Sequence, residues 1–385
     1  MNELLRVEYE KYLAEHGLKP RELPPAEERE AGLREIFRIK YEAAKEQGDP
    51  TAEDLRDYYN ANFERILNET QHPAVALIEK AAADVEATIR SLPAFAERFH
   101  DDVFVGEFPT GSFACQTVKV DGGFLVLVNS GMMVILQQVV AFLTRGDPDN
   151  PDSEKTREAA DGVAAVLASY VELGDPFYGP LPVNGGLDGL RDSLLSGAAE
   201  RFVIAHEYAH ILALHFSDSD HDRTDIETSA GVISVLKKSH EQEFEADDLG
   251  YKLILGVEEY DRFDFTVIDA GLKSDDWDAW LEGVRQKSVI AGPFIFLILD
   301  LLLENLQEPA FMLDSDSKWS GSHPPSLARI GKLLEAFPDA TPMQKGFINF
   351  PFMLFPWVDY VGEQIELYTT HKLRWEAADT PAKPR

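Results

Sequence analysis

Residues 201–216 read RFVIAHEYAHILALHF. Phe202, Val203, Ile204, Ile211, Leu212 and Leu214 make the stretch apolar, and it holds neither Gly nor Pro. It therefore predicts a buried helix running through to Phe216. Within it, His206-Glu207-Tyr208-Ala209-His210 has the form H-E-x-x-H. Residues four apart lie about 40° apart around an α-helix, so both imidazoles face one way and can share one Zn²⁺. Glu207 falls near the water that such an ion would activate, where it can serve as general base. An unpaired Glu in so apolar a helix would be costly, so the His-Glu-His set calls for a chemical role.

Two His leave a zinc site one protein ligand short. The metzincin pattern would need Gly at 213 and His at 216, but the chain has Ala213 and Phe216. His215 comes one place early, rotated off the ligand face, and is expected to be structural or to support a ligand. The alternative is a Glu from a second helix. Residues 241–255, EQEFEADDLGYKLIL, show helical periodicity through Phe244, Leu249, Leu253 and Ile254. Glu243 and Asp247 are four apart and share a face. Glu243 is expected to bind Zn²⁺ through a carboxylate oxygen, and Asp247 to accept the free N–H of a ligand histidine. Ala246 and Gly250 are small enough to let the two helices pack closely.

Upstream, residues 1–95 read as a helical region. Leu4, Leu5, Tyr9 and Tyr12 lie at helical spacing, as do Leu33, Ile36, Phe37 and Tyr41, with Pro20, Pro24 and Pro25 between them. Gly48-Asp49-Pro50 marks the next break, with Thr51 as the expected N-cap. Between 102 and 128 the character changes. Val103–Val105, Phe113–Val120 and Phe124–Val128 are β-rich, and Asp121-Gly122-Gly123 predicts a hairpin turn. Helices are expected at about 131–144 and 156–173, with connections at 145–156, 174–189 and 308–322. The expected fold is α+β and mostly helical, with a zincin-like core in which a small antiparallel sheet lies beside two zinc-binding helices. It is divided into a helical region (1–95), a catalytic domain (96–340) and a helical extension packed on the core (341–385).

Composition narrows the setting. The 385 residues include 36 basic and 68 acidic side chains, a net charge of −32. Nucleic acid and anionic membranes repel such a chain, so neither is expected as a partner. Cys115 is the lone cysteine, and no intramolecular disulfide is possible. The N-terminus, MNELLRVEYEKYLAEHG, carries charges throughout and no apolar signal core, which suggests the cytoplasm. The apolar stretches 124–143 and 289–303 are interrupted or short, and read as buried core rather than membrane spans. His221 lies in an acidic loop, and Tyr208 and Tyr251 are expected to be packing residues.

The order HEYAH, EFEAD and then SHPPSLARI at 322–330 resembles the gluzincin peptidases of the HtpX and Oma type, over roughly residues 105–335. That family carries H-E-x-x-H, E-x-x-A-D and a late His-Pro followed by Arg-Ile. The resemblance implies one Zn²⁺ per chain on His206, His210 and Glu243. It also implies that His323 and Arg329 stabilise the oxyanion and position substrate. The segment 111–133 resembles the family's substrate-edge strand, and a peptide is expected to add at Phe124–Val128. Many members are membrane-embedded, whereas this chain reads as soluble. The motif pair is also similar to the cytoplasmic Lit-type phage-exclusion proteases. The implied activity is endopeptidase hydrolysis of a protein or peptide by zinc-activated water, with Glu207 as base. The alternatives are a regulatory or phage-defence protease with one dedicated target, and a catalytically silent protease fold used for binding or as a chaperone.

Overall fold

The computed structural model describes residues 3–336 except 47, 49–51, 68–72, 147–149, 151–152, 175, 177–178, 181, 183, 185, 217–222, 229–230, 237–238 and 308–323. The expected extension at 341–385, Thr51, His221, His323 and the connection 308–322 therefore lie outside the described residues.

The expected helical beginning is present. Helices α1 (Glu3–Glu15), α2 (Ala26–Glu46), α3 (Ala52–Leu67) and α4 (Pro73–Ser91) precede a short α5 (Pro93–Ala96). The prolines at 20, 24 and 25 separate α1 from α2, since Pro removes a helix donor and restrains the residue before it. Three strands follow, β1 (Val103–Phe108), β2 (Cys115–Val120) and β3 (Gly123–Asn129), and then α6 (Ser130–Leu143) and α7 (Glu154–Leu173). The long α8 (Gly186–Leu212) carries the H-E-x-x-H motif. A hairpin of β4 (Arg223–Thr228) and β5 (Gly231–Leu236) leads to α9 (His240–Leu255). A 3₁₀ turn at Tyr260–Arg262, α10 (Phe265–Leu272), α11 (Trp277–Gln307) and α12 (Ser326–Leu334) complete the described chain.

The fold is thus α+β and mostly helical, but the three-stranded sheet is mixed rather than antiparallel. Its order is β1-β3-β2. β2 and β3 form the expected antiparallel hairpin, from Cys115 opposite Val128 to Val120 opposite Gly123. Gly122, at φ +88°, supplies the left-handed conformation of its two-residue turn. β1 instead pairs parallel to β3, from Val103 opposite Phe124 to Phe108 opposite Asn129. The reason is the connection 109–114. Six residues reach about 20 Å when extended, ample to cross the roughly 10 Å from one edge of β3 to the other. The crossing passes under α6, where a Cβ at Gly131 would meet the Gly111 backbone at 2.0 Å. β3 is therefore the central strand, paired on both sides. Phe124–Val128 cannot receive a peptide as expected; among the described residues, the strand edge beside α8 that no other strand pairs with is that of β2.

Alternation assigns the two faces of the sheet. Phe124, Val126 and Val128 join the main helical core with Phe202, Ile204 and Tyr208 of α8. Leu125 and Leu127 face the other way, against Leu5, Tyr9 and Leu13 of α1. α11 packs along α8, close enough that a Cβ at Gly292 would meet Ala198 at 2.7 Å. By length and composition, the stretch Trp277–Glu304 of α11 would suit a membrane span, but 78% of its most apolar window is buried inside the protein. It is a core helix.

Candidate metal centre

The site is a seam between α8 and α9. Both helices have specific reasons to be where they are. α9 opens on a reciprocal capping box, in which the Ser239 hydroxyl accepts from the Gln242 N–H and the Gln242 side chain accepts from the Ser239 N–H. It closes on Gly256 in the left-handed conformation. Ala246 and Gly250 let it approach α8. A Cβ at Gly250 would lie 3.0 Å from the His206 backbone N, so even alanine would press the seam apart.

This approach brings His206, His210 and Glu243 together. All three are buried, and their nearest ligand atoms lie within 4.8 Å of one another. The two Nε2 atoms are 3.1 Å apart. Glu243 Oε2 lies 3.4 Å from His206 Nε2, and Oε1 lies 3.5 Å from His210 Nε2.

The remaining ring nitrogens have their own partners. His206 Nδ1 lies 2.9 Å from Asp247 Oδ1. Asp247 in turn accepts from Arg329 Nε and Nη2, both at 2.7 Å. Burial opposes ionisation of Asp247, but Arg329 and His206 together hold its pKa below the usual range. Burial likewise opposes charge on Arg329, and Asp247 above all reverses this, so its pKa is raised. An ionised Asp247 can only accept, so His206 donates from Nδ1 and turns the Nε2 lone pair toward Glu243. Burial pulls the His206 pKa down, while Asp247 and Glu243 raise it to about 9. The pocket thus draws positive charge to Nε2, be it a proton or a metal. Two imidazole nitrogens and one carboxylate are a donor set that suits Zn²⁺, and three protein ligands leave a fourth position for chemistry. The residues present fit the ion.

His215 occupies a place the sequence pattern misses. α8 stops at Leu212 rather than running through Phe216. The His215 N–H donates to the His210 carbonyl and the Leu214 N–H to the Ile211 carbonyl, with Leu214 at φ +59°. These are the two bonds of a Schellman cap. The cap folds the chain back so that His215 Nδ1 lies 2.7 Å from His210 Nδ1. His215 Nε2 is 3.2 Å from Glu245 Oε2.

Glu207 is also buried, and the Thr117 hydroxyl donates to its Oε2 at 2.7 Å. Thr117 lies on β2, ninety positions away, and no local pattern links the two. Alternation along β2 was the available signal, since Cys115 and Thr117 share its core-facing side. Tyr208 and Tyr251 are packing residues, as expected. Their hydroxyls donate to Glu86 Oε1 at 2.8 Å and the Ile290 carbonyl at 3.3 Å.

Compared with models of protein families, with curated proteins and with solved structures, the chain matches none.

Proposed function

We propose that this chain is a soluble, cytoplasmic, zinc-dependent endopeptidase. One observation carries the reading. His206, His210 and Glu243 converge within 4.8 Å in a buried seam, with the buried Glu207 on the same helical turn. A zinc ion held there would supply Lewis acidity and lower the pKa of water toward neutrality. The protein's own groups do the rest. Glu207 takes the proton of the attacking water and returns it to the leaving amine. The Thr117 hydroxyl fixes one carboxylate oxygen and so orients the other.

The substrate strand adds to β2. The Asn129 N–H donates to the Ala114 carbonyl. Bonding alternates along an antiparallel pair, so Gln116, Val118 and Val120 bond to β3 while Cys115, Thr117 and Lys119 turn their backbone groups outward. An extended peptide pairing there would run past Glu207. His323 keeps the oxyanion role implied by the family resemblance. Arg329 is assigned to Asp247 instead, because its Nε and Nη2 are both spent on that carboxylate.

The test is hydrolysis of unfolded proteins and peptide libraries by the purified chain. Activity is expected to vanish with a zinc chelator and return with zinc. Glu207→Gln should lose about 10²- to 10⁴-fold in kcat while keeping its metal. A Glu207→Gln variant as active as the parent would contradict the catalytic reading and favour a binding module.

A further inference from the structure

The cap of α8 holds a non-glycine residue where glycine is favoured. Leu214 is the one non-glycine with positive φ among the described residues, and it is 61% exposed. An L-residue there pays a steric cost, and exposed leucine recovers little of it by burial. A helix end so built calls for a reason. The cap supplies one. In a Schellman motif the residue after the left-handed position packs on the residue five before it. That contact is ordinarily apolar, but here it joins His215 to His210, two buried imidazoles. The His215 ring then meets Glu245, whose side chain is 55% exposed.

We infer that His215 and Glu245 are positioning residues for the metal ligand His210. The contacts fix a direction of donation. The Glu245 carboxylate accepts from His215 Nε2–H, which leaves His215 Nδ1 as an acceptor. His210 then donates from Nδ1, and its Nε2 lone pair points at the seam. The arrangement parallels the support of His206 by Asp247 and Arg329. Each ligand imidazole has its own two-residue chain, one ending in a buried guanidinium and the other at solvent. The inference rests on the proposed zinc site, and adds residues that neither H-E-x-x-H nor E-x-x-A-D contains.

The experiment is a zinc competition titration of the full chain against a chromophoric chelator. His215→Phe removes the acceptor and keeps the bulk, and is expected to weaken zinc binding about 10- to 100-fold. His215→Asn retains an acceptor oxygen and should restore most of the affinity. Equal affinity in the parent and His215→Phe would overturn the inference alone. So would equal losses in the Phe and Asn variants, since an acceptor at 215 would then recover nothing. A parent that binds no zinc would overturn the metal reading and this inference with it. A readout that needs no variant is the ¹⁵N-histidine spectrum of the zinc-loaded parent. It should show His210 protonated at Nδ1 and His215 at Nε2; a proton on His215 Nδ1 would overturn the assignment.

Discussion

Glu107 and Glu243 are both carboxylates buried to within 1% of full enclosure, yet their surroundings are opposite in kind. Glu107, near the end of β1, is met by donors. The Ser130 hydroxyl donates to it at 2.5 Å, and Arg21 Nε lies 3.2 Å from the same oxygen. A cation and a hydroxyl come supplied with the chain. Glu243 is met by two imidazole Nε2 atoms, and the Nδ1–H of His206 goes to Asp247. A positive charge held among these nitrogens, proton or metal ion, offsets the carboxylate. Burial alone does not mark a site; what distinguishes Glu243 is that its neighbours are imidazoles, which can hold either a proton or a metal ion.

The arginines behind the two carboxylates separate them most strongly. Arg329 is 4% exposed and holds Asp247 with two bonds. Arg329→Met leaves a buried charge uncompensated and should cost about 3–5 kcal/mol of stability by chemical denaturation, with weaker zinc binding as well. The side chain of Arg21 is 30% exposed. Arg21→Met takes a partly exposed charged donor from the enclosed Glu107, which keeps the Ser130 hydroxyl, and should cost about 1–3 kcal/mol while leaving zinc binding untouched. Equal losses would erase the distinction between the two sites.

Glu200 of α8 is a third buried carboxylate and sharpens the contrast. An amide meets it, with Gln137 Nε2 donating at 3.3 Å. Burial pushes its pKa to about 7, against which Gln137 and Arg201 act weakly. The folded state then holds a proton that the unfolded chain gives up near pH 4.5, so stability falls as pH rises from about 4.5 to 7. The shift amounts to about 3 kcal/mol at most. Glu200→Gln should match the parent near pH 4 and exceed it at pH 8 by up to that amount. A parent with no such slope, measured by urea unfolding across this range, would contradict the account of Glu200.

The seam between α8 and α9 was legible because its parts are local. H-E-x-x-H and E-x-x-A-D fix side chains on a helix face through the 3.6-residue turn alone, and the small Ala246 and Gly250 announced the close packing. What escaped depends on long-range pairing or on a broken rule. The parallel partner of β1 follows from which strand the 109–114 connection reaches, and that choice is not written in the strand's own pattern. The Thr117–Glu207 bond spans ninety positions. α8 ends at Leu212 without a Gly or Pro to mark it, since Leu214 takes the left-handed position itself. His215 could be placed only once that end was known.

A seam built for a cation should hold one, and metal content decides it. Elemental analysis of the purified chain should find about one zinc per molecule. Glu243→Ala, which removes a ligand and leaves the helices in place, should lose it on dialysis. A parent without metal after exposure to zinc, or a Glu243→Ala variant that retains it, would contradict the account.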